Sequence, residues 1–159
     1  MAVWQFKVAL VPKRWLDAGG SIAFLITDHG WDTAPTWESF DDQPLEDRIT
    51  AVLPAAKSWH PSVAIWGADD RDDIQLSRNN GRVESLSVRF DLRNPNMALF
   101  RAIVDLAQAS DLVILDLARR RVVRDSTELL RAAAESEAAH FVLDPLSFLS
   151  EIDVNARPT

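Results

Sequence analysis

A chain of 159 residues with 47% apolar side chains can bury one substantial core, so one compact unit is expected. Its 24 acidic residues outnumber 17 basic ones, and the formal charge of −7 argues against a general nucleic-acid binder, which must mass Lys and Arg against phosphate. The absence of cysteine removes disulfides, thiol nucleophiles and thiolate metal sites, leaving oxygen and imidazole for any chemistry.

No apolar run approaches the roughly 20 residues a membrane span needs. The opening MAVWQFKVAL interrupts its apolar residues with Lys7 where a signal peptide would be continuous, so a cytoplasmic location is expected. The charge is uneven: residues 1–80 carry 12 acids and 7 bases, residues 81–159 carry 12 and 10. A basic partner is therefore electrostatically easier to accommodate than an acidic one.

The alternation from Val3 to Val11 places Trp4, Phe6, Val8 and Leu10 on one face of a strand that Pro12 ends. After Gly19-Gly20, the run Ile22 to Ile26 reads as a buried strand closed by the turn Asp28-His29-Gly30, and residues 30–43 read as a long loop. Pro44 at a first helical position, followed by Leu45, Ile49, Val52 and Leu53, predicts a helix that Pro54 limits to about three turns. Ser62 to Trp66 predicts a strand, and Asp69-Asp70-Arg71-Asp72-Asp73 a solvated acidic turn.

Two further strands, Ile74 to Arg78 and Arg82 to Leu92, flank Asn79-Asn80-Gly81. A two-residue Asn80-Gly81 loop would set Leu76 across from Ser85 and Ile74 across from Ser87, apolar against polar. A three-residue loop instead pairs Arg78 with Arg82 and Ile74 with Leu86, and is the register expected. Asn94-Pro95 predicts the start of an amphipathic helix to about Ala109, and Leu112 to Leu115 a buried strand. Arg119-Arg120-Arg121 should top a turn before Val122-Val123. Asp125 and Glu128 have capping-box spacing for a helix to about Ala139. A last short helix is expected from Asp144-Pro145, with residues 1–154 as one domain and 155–159 as a fraying tail. Hairpins interleaved with helices favour an α+β two-layer sandwich: a mainly antiparallel sheet with helices on one face.

No dinucleotide, P-loop, nucleophile-elbow or zincin motif is present. The acidic turn fails EF-hand spacing, since counting from Asp69 puts Arg71 at the third ligand position and counting from Asp70 puts Ile74 at the fifth. No metal site or cofactor is expected. His29, His60 and His140 each stand alone, and the ordinary reading is two loop histidines and one opposing a helix dipole. The basic cluster Arg119, Arg120, Arg121 and Arg124 reads as a solvated turn, with a local anion site as the lesser reading.

Two features carry functional readings. The outward face of the long strand holds Val83, Ser85, Ser87, Arg89, Asp91 and Arg93, with Gln75 opposite Ser85 in the chosen register. This is either the solvent side of an antiparallel sheet or a polar groove. In a groove, Arg89 would clamp a carboxylate or phosphate, Asp91 would orient its guanidinium, and Gln75 and His60 would assist. The second feature is tryptophan: all six lie in the first 66 residues. Trp4 and Trp66 are expected in the core. Trp31, Trp37 and Trp59 fall in loops, where each either plugs the core or stands exposed beside Asp32, Glu38, Asp41 and Asp42 as a contact anchor.

The segments Trp59-His60-Pro61, Ile65-Trp66-Gly67, Asp73-Ile74-Gln75, Gly81-Arg82-Val83 and Val88-Arg89-Phe90-Asp91-Leu92-Arg93 resemble small uncharacterised bacterial proteins of the immunity type. The resemblance implies a protein that neutralises a toxin by direct binding, and it transfers no functional residue. The leading expectation is a non-enzymatic interaction domain that binds a basic protein through Trp31, Trp37, Trp59, Asp32, Asp41 and Asp42. The alternative is a small-ligand-binding or hydrolytic domain using Arg89, Asp91, Gln75 and His60. A homodimer is compatible with either.

Overall fold

The computed structural model describes residues 1–41 and 44–145. The body of the short helix expected after Pro145 and the tail 155–159 lie outside them. In chain order the elements are β1 (Gln5–Pro12), α1 (Lys13–Asp17), β2 (Ile26–Thr27), β3 (Gly30–Trp31), α2 (Leu45–Thr50), β4 (Ala55–Ala56), β5 (Val63–Gly67) and β6 (Asp73–Asn79). Then follow β7 (Arg82–Asp91), α3 (Met97–Ala109), β8 (Leu112–Asp116), β9 (Arg121–Val123), α4 (Ser126–Ala134) and α5 (Glu137–Leu143). Among these residues no helix is long and apolar enough to cross a membrane.

The fold is α+β. Seven strands form one antiparallel sheet in the order β4-β5-β6-β7-β1-β8-β9, and β2 and β3 form a separate small hairpin. Period-two alternation sends Phe6, Val8 and Leu10 of β1, Ile74 and Leu76 of β6, and Leu86, Val88 and Phe90 of β7 to one face. There they meet the apolar stripes of α2, α3, α4 and α5 in the main core. Phe90 is central to it, its ring stacked on Phe100 at 4.2 Å and facing Phe6 at 6.1 Å. A smaller cluster of Val11, Leu25 and Leu115 lies apart from this core, with Trp15, Ile22 and Val122 packed against it.

Several local expectations are corrected. Ile22 to Ile26 is not a buried strand: Ile22–Leu25 is a 3₁₀ turn that leads into β2, and of its four residues Leu25 is the buried one. Three residues per turn bring Leu25 onto Val11 and Leu115 and leave Phe24 82% exposed. The 30–43 stretch carries β3 and a 3₁₀ turn at Ala34–Trp37, and the helix after Pro44 ends at Thr50. The cap of α3 is Asn96, whose side chain accepts from the Leu99 N–H at 3.2 Å, so the Asn94-Pro95 start falls two residues early. Asp125 caps α4 by accepting from Glu128 N–H at 2.8 Å. The helix expected to run on to Ala139 breaks at Ser136, which turns extended and caps α5 by accepting from Ala139 N–H at 3.2 Å. Replacing Asn96 with alanine should cost about 1 kcal/mol in a urea unfolding curve, with the midpoint shifted and the slope unchanged.

The β6–β7 hairpin matters most for the site. Its tip is the two-residue loop Asn80-Gly81, both residues at positive φ, which is type I′ geometry. Asn79 pairs with Arg82 and Arg78 with Val83. A bulge then inserts Glu84, so that Ser77 pairs with Ser85, Leu76 with Leu86, Gln75 with Ser87, Ile74 with Val88 and Asp73 with Arg89. The three-residue loop is thus replaced by a tighter turn plus a bulge, which restores apolar-to-apolar pairing from Leu76 onward. The same bulge turns Val83 into the main core, away from the polar face where alternation had placed it.

Candidate functional site

The polar face of β7 is built around the turn between β5 and β6. Gly67 enters that turn at φ +86, and a Cβ there would sit 2.3 Å from the Asp72 carbonyl oxygen. Gly67→Ala should therefore lose about 2–4 kcal/mol from backbone strain and overlap together, measured by urea unfolding.

Residues 68–72 fold back onto the sheet and are held there by side chains from β1 and the end of β7. Gln5 Nε2 donates to the carbonyls of Asp69 (3.1 Å) and Arg71 (2.6 Å), and Trp4 Nε1 donates to Asp70 O at 3.3 Å. Arg93 Nη2 donates to the same Asp70 carbonyl at 2.7 Å, and its guanidinium carbon lies 4.1 Å from the Trp4 ring centre. Asp72 Oδ1 accepts from the Asp91 N–H at 2.7 Å. The acidic run expected to be a solvated turn is a clamped one. Trp4 belongs to this clamp, half-buried, instead of to the core, whereas Trp66 is a core residue.

Arg89 is the centre of the charges. Its Nε donates to Asp73 Oδ1 at 2.8 Å, its Nη2 donates to Asp73 Oδ2, and the same Nη2 reaches Asp69 Oδ1 at 2.5 Å. Asp73 is fully buried and Arg89 8% exposed. Hydrogen bonding to Asp73 is the main reason the guanidinium is held above its ordinary pKa. Asp91 does not orient Arg89. It forms a bidentate pair with Arg93, from Nε at 2.9 Å and Nη2 at 2.8 Å. Gln75 stands across from Ser87 and donates to Asp73 Oδ2 at 3.2 Å.

His60 is not gathered into this group. It precedes β5 at the end where Val63 pairs with Ser77, four residues along the strand from the Gly67–Asp73–Arg89 row, or about 13 Å. Its Nδ1 accepts from the Ser62 N–H at 3.1 Å and lies 2.7 Å from Ser62 Oγ. A backbone donor to Nδ1 places the imidazole proton on Nε2. His29 is an exposed turn residue and His140 lies in the last turn of α5. The arginine cluster is not an open anion site either: Arg119 and Arg121 both pair with Glu135, at 2.5 and 3.0 Å, while Arg120 sits at the turn tip with φ 54. Among the described residues no group of three histidine or carboxylate side chains gathers as a metal site would require.

The loop residues separate. Trp37 is 2% exposed, edge-on to Phe40 at 4.9 Å, so it is a core plug and leaves the set of surface anchors. Trp31 is 36% exposed and Trp59 is 71% exposed. Trp31 shares a cavity with Lys7 of β1, whereas Trp59 precedes β5, three strands away across the sheet, or roughly 14 Å. Asp32 and Asp41 are exposed, with Asp32 Oδ1 accepting from Ala34 N–H at 3.0 Å, and Asp42 lies outside the described residues. Phe24 was missed as a surface aromatic. Its apolar neighbours Ile22, Leu25 and Ile26 make the segment read as buried, and nothing local marks Phe24 as the ring that faces water.

Two carboxylates respond oppositely to acid. The Arg93 pair holds Asp91 below the ordinary carboxylate value, so its contribution is complete above about pH 4 and lost as pH falls through the lowered value. Burial pushes Asp72 up, so its ionised form opposes folding, and protonation as pH falls through the raised value relieves that. The stability gap between wild type and Asp91→Asn should therefore close as pH drops below about 4. Paired unfolding curves from pH 7 to pH 3 check this, and a gap that stays constant would contradict it.

Compared with known proteins, the chain matches no family model, no curated protein and no solved structure.

Proposed function

We propose that this chain is a non-enzymatic interaction domain of the bacterial immunity type, acting in the cytoplasm, that binds a basic protein through acidic loops bearing exposed aromatic rings. The observation that carries the reading is the exposure of Phe24, Trp31 and Trp59: Phe24 and Trp31 flank a turn that presents Asp28, with Asp32 next to Trp31, and Trp59 stands on a separate loop. Exposed aromatic rings give contact area at low entropy cost, and surrounding carboxylates steer a cationic partner. Trp59 stands on a loop braced from within, since Ser58 Oγ donates to the His60 carbonyl at 2.7 Å and accepts from the His60 N–H at 3.1 Å. Such bracing lowers the cost of binding.

The polar face supports the ligand-clamp alternative less well. Arg89 spends two of its nitrogens on Asp73 and Asp69, and His60 stands at the other end of the strands. The test is to recover the protein with its bound partner from its natural host, then measure the purified pair by titration. Trp59→Ala or Phe24→Ala should weaken the complex by about 30-fold or more, and raising salt should slow association. A partner that is acidic, or that binds both variants as tightly as wild type, would overturn the reading.

A further inference from the structure

The ladder between β1 and β8 stops early. β1 begins at Gln5 and pairs with β7 over Gln5 to Leu10, but its pairing with β8 covers only Ala9 to Pro12. Lys13 N–H donates to Asp111 O at 3.0 Å on the β8 side, and Leu92 N–H donates to Trp4 O at 3.1 Å on the β7 side. Antiparallel ladders alternate, so the odd-numbered residues of β1 point their backbone groups toward β8 and the even-numbered ones toward β7. The N–H and C=O of Lys7 therefore face β8, beyond the last rung at Ala9–Leu115, where that chain has already turned off through Leu117 to Arg119.

A cavity of ≈ 600 Å³ opens at this split. Lys7 and Phe6 line one side, Leu117 and Ala118 another, with Trp31 and Ala138 also on the wall. The carboxylate of Asp116, also on the wall, is engaged by Arg121 Nε at 3.5 Å and by the Arg119 N–H at 3.4 Å. Of the other charged groups on the wall, Arg119 is paired with Glu135, while Met1 with its terminal amine and Glu137 sit at the rim on the α5 side. Lys7 is exposed, and its charge has Arg89 as a neighbour across the β1–β7 rung. Desolvation first, and the Arg89 charge second, hold its ammonium below the ordinary lysine value, with Asp73 opposing them.

We propose that the split between β1 and β8 is a small-molecule site in which the Lys7 ammonium takes the carboxylate of a planar aromatic acid and the Trp31 side of the cavity takes its ring. The cavity volume suits a ligand of that size, the apolar wall of Phe6, Leu117 and Ala118 suits an aromatic body, and Lys7 supplies the orienting charge. Trp31 is shared with the proposed protein-binding surface, whereas Lys7 lies outside that surface, so the Lys7 variants test this site alone.

Benzoate is the probe, followed by amide and indole shifts in ¹H–¹⁵N spectra of the whole protein. Saturable shifts are expected at Lys7, the Trp31 indole and Leu117 to Arg119. Lys7→Met should weaken benzoate about tenfold or more while leaving the weak binding of benzyl alcohol, which has the ring without the charge, unchanged. Trp31→Leu should weaken both. Each variant's spectrum reports whether it is folded, and Lys7→Gln serves if the methionine form is not. Absence of saturable binding, shifts centred elsewhere, or equal benzoate affinity in the Lys7 variants would overturn the proposal.

Discussion

Arg89→Leu is expected to cost about 3–5 kcal/mol, because it leaves Asp73, fully buried, with its charge uncompensated. Asp73→Leu should cost a similar amount by stranding the guanidinium. Replacing both partners of a buried ion pair with apolar residues of like volume is often neutral. The double variant Arg89→Leu/Asp73→Leu should therefore recover much of the loss of either single one, with a coupling well above the roughly 0.5 kcal/mol of independent sites. Urea unfolding at pH 7 measures all four corners of the cycle. Additive losses would show that Arg89 and Asp73 act separately, against the geometry of a two-point pair. The singles should also loosen residues 68–72, because Arg89 holds Asp69 as well, and amide exchange in that turn reports it.

Phe90→Ala, one residue along β7 and on the opposite face, is expected to cost about 3–5 kcal/mol for a different reason. Its ring is 1% exposed between Phe6 and Phe100, so truncation removes transfer energy and leaves a hole that the stacked rings can only partly close. Phe90→Leu should cost less than the alanine change, since much of the volume is kept. The two faces of one strand can be told apart by conditions. The Phe90 loss should be nearly the same in low and high salt and leave exchange in residues 68–72 unchanged, whereas the Arg89 loss should come with faster exchange in that turn. A loss below about 1 kcal/mol at Phe90 would mean that the core relaxes around the gap far more than close packing permits.

Much of the architecture was legible because periodicity is a local property. Phe6, Val8 and Leu10 alternate, Leu99, Phe100 and Ile103 recur at helical spacing, and both patterns report which side faces the core whatever the partner is. The centre of the polar site was not legible, and the reason is one residue. Arg89 and Asp73 face each other only because Glu84 bulges out of the β7 ladder; in the three-residue-loop register Arg89 would have faced Arg71. Asn80-Gly81 does signal a tight turn, but nothing near Glu84 announces the bulge, since its benefit is the pairing of Leu76 with Leu86 farther along. The Trp residues divide the same way. Trp66 follows its strand into the core, but whether Trp37 is a plug and Trp59 a surface ring depends on what lies over each loop, and that is a long-range matter.

The sequence by itself determined the class of fold, an antiparallel sheet with amphipathic helices on one face, together with its acidic balance of charge. Those follow from spacing and composition, which need no knowledge of distant contacts. Only the tertiary structure decided that the acidic turn is clamped by Gln5, Trp4 and Arg93, that Arg89 is committed to Asp73 and Asp69, that Phe24 stands in water, and that β1 and β8 part beside Lys7. Each of these depends on register or on where a strand pairing ends, quantities set by the packing of segments as far as 66 residues apart along the chain.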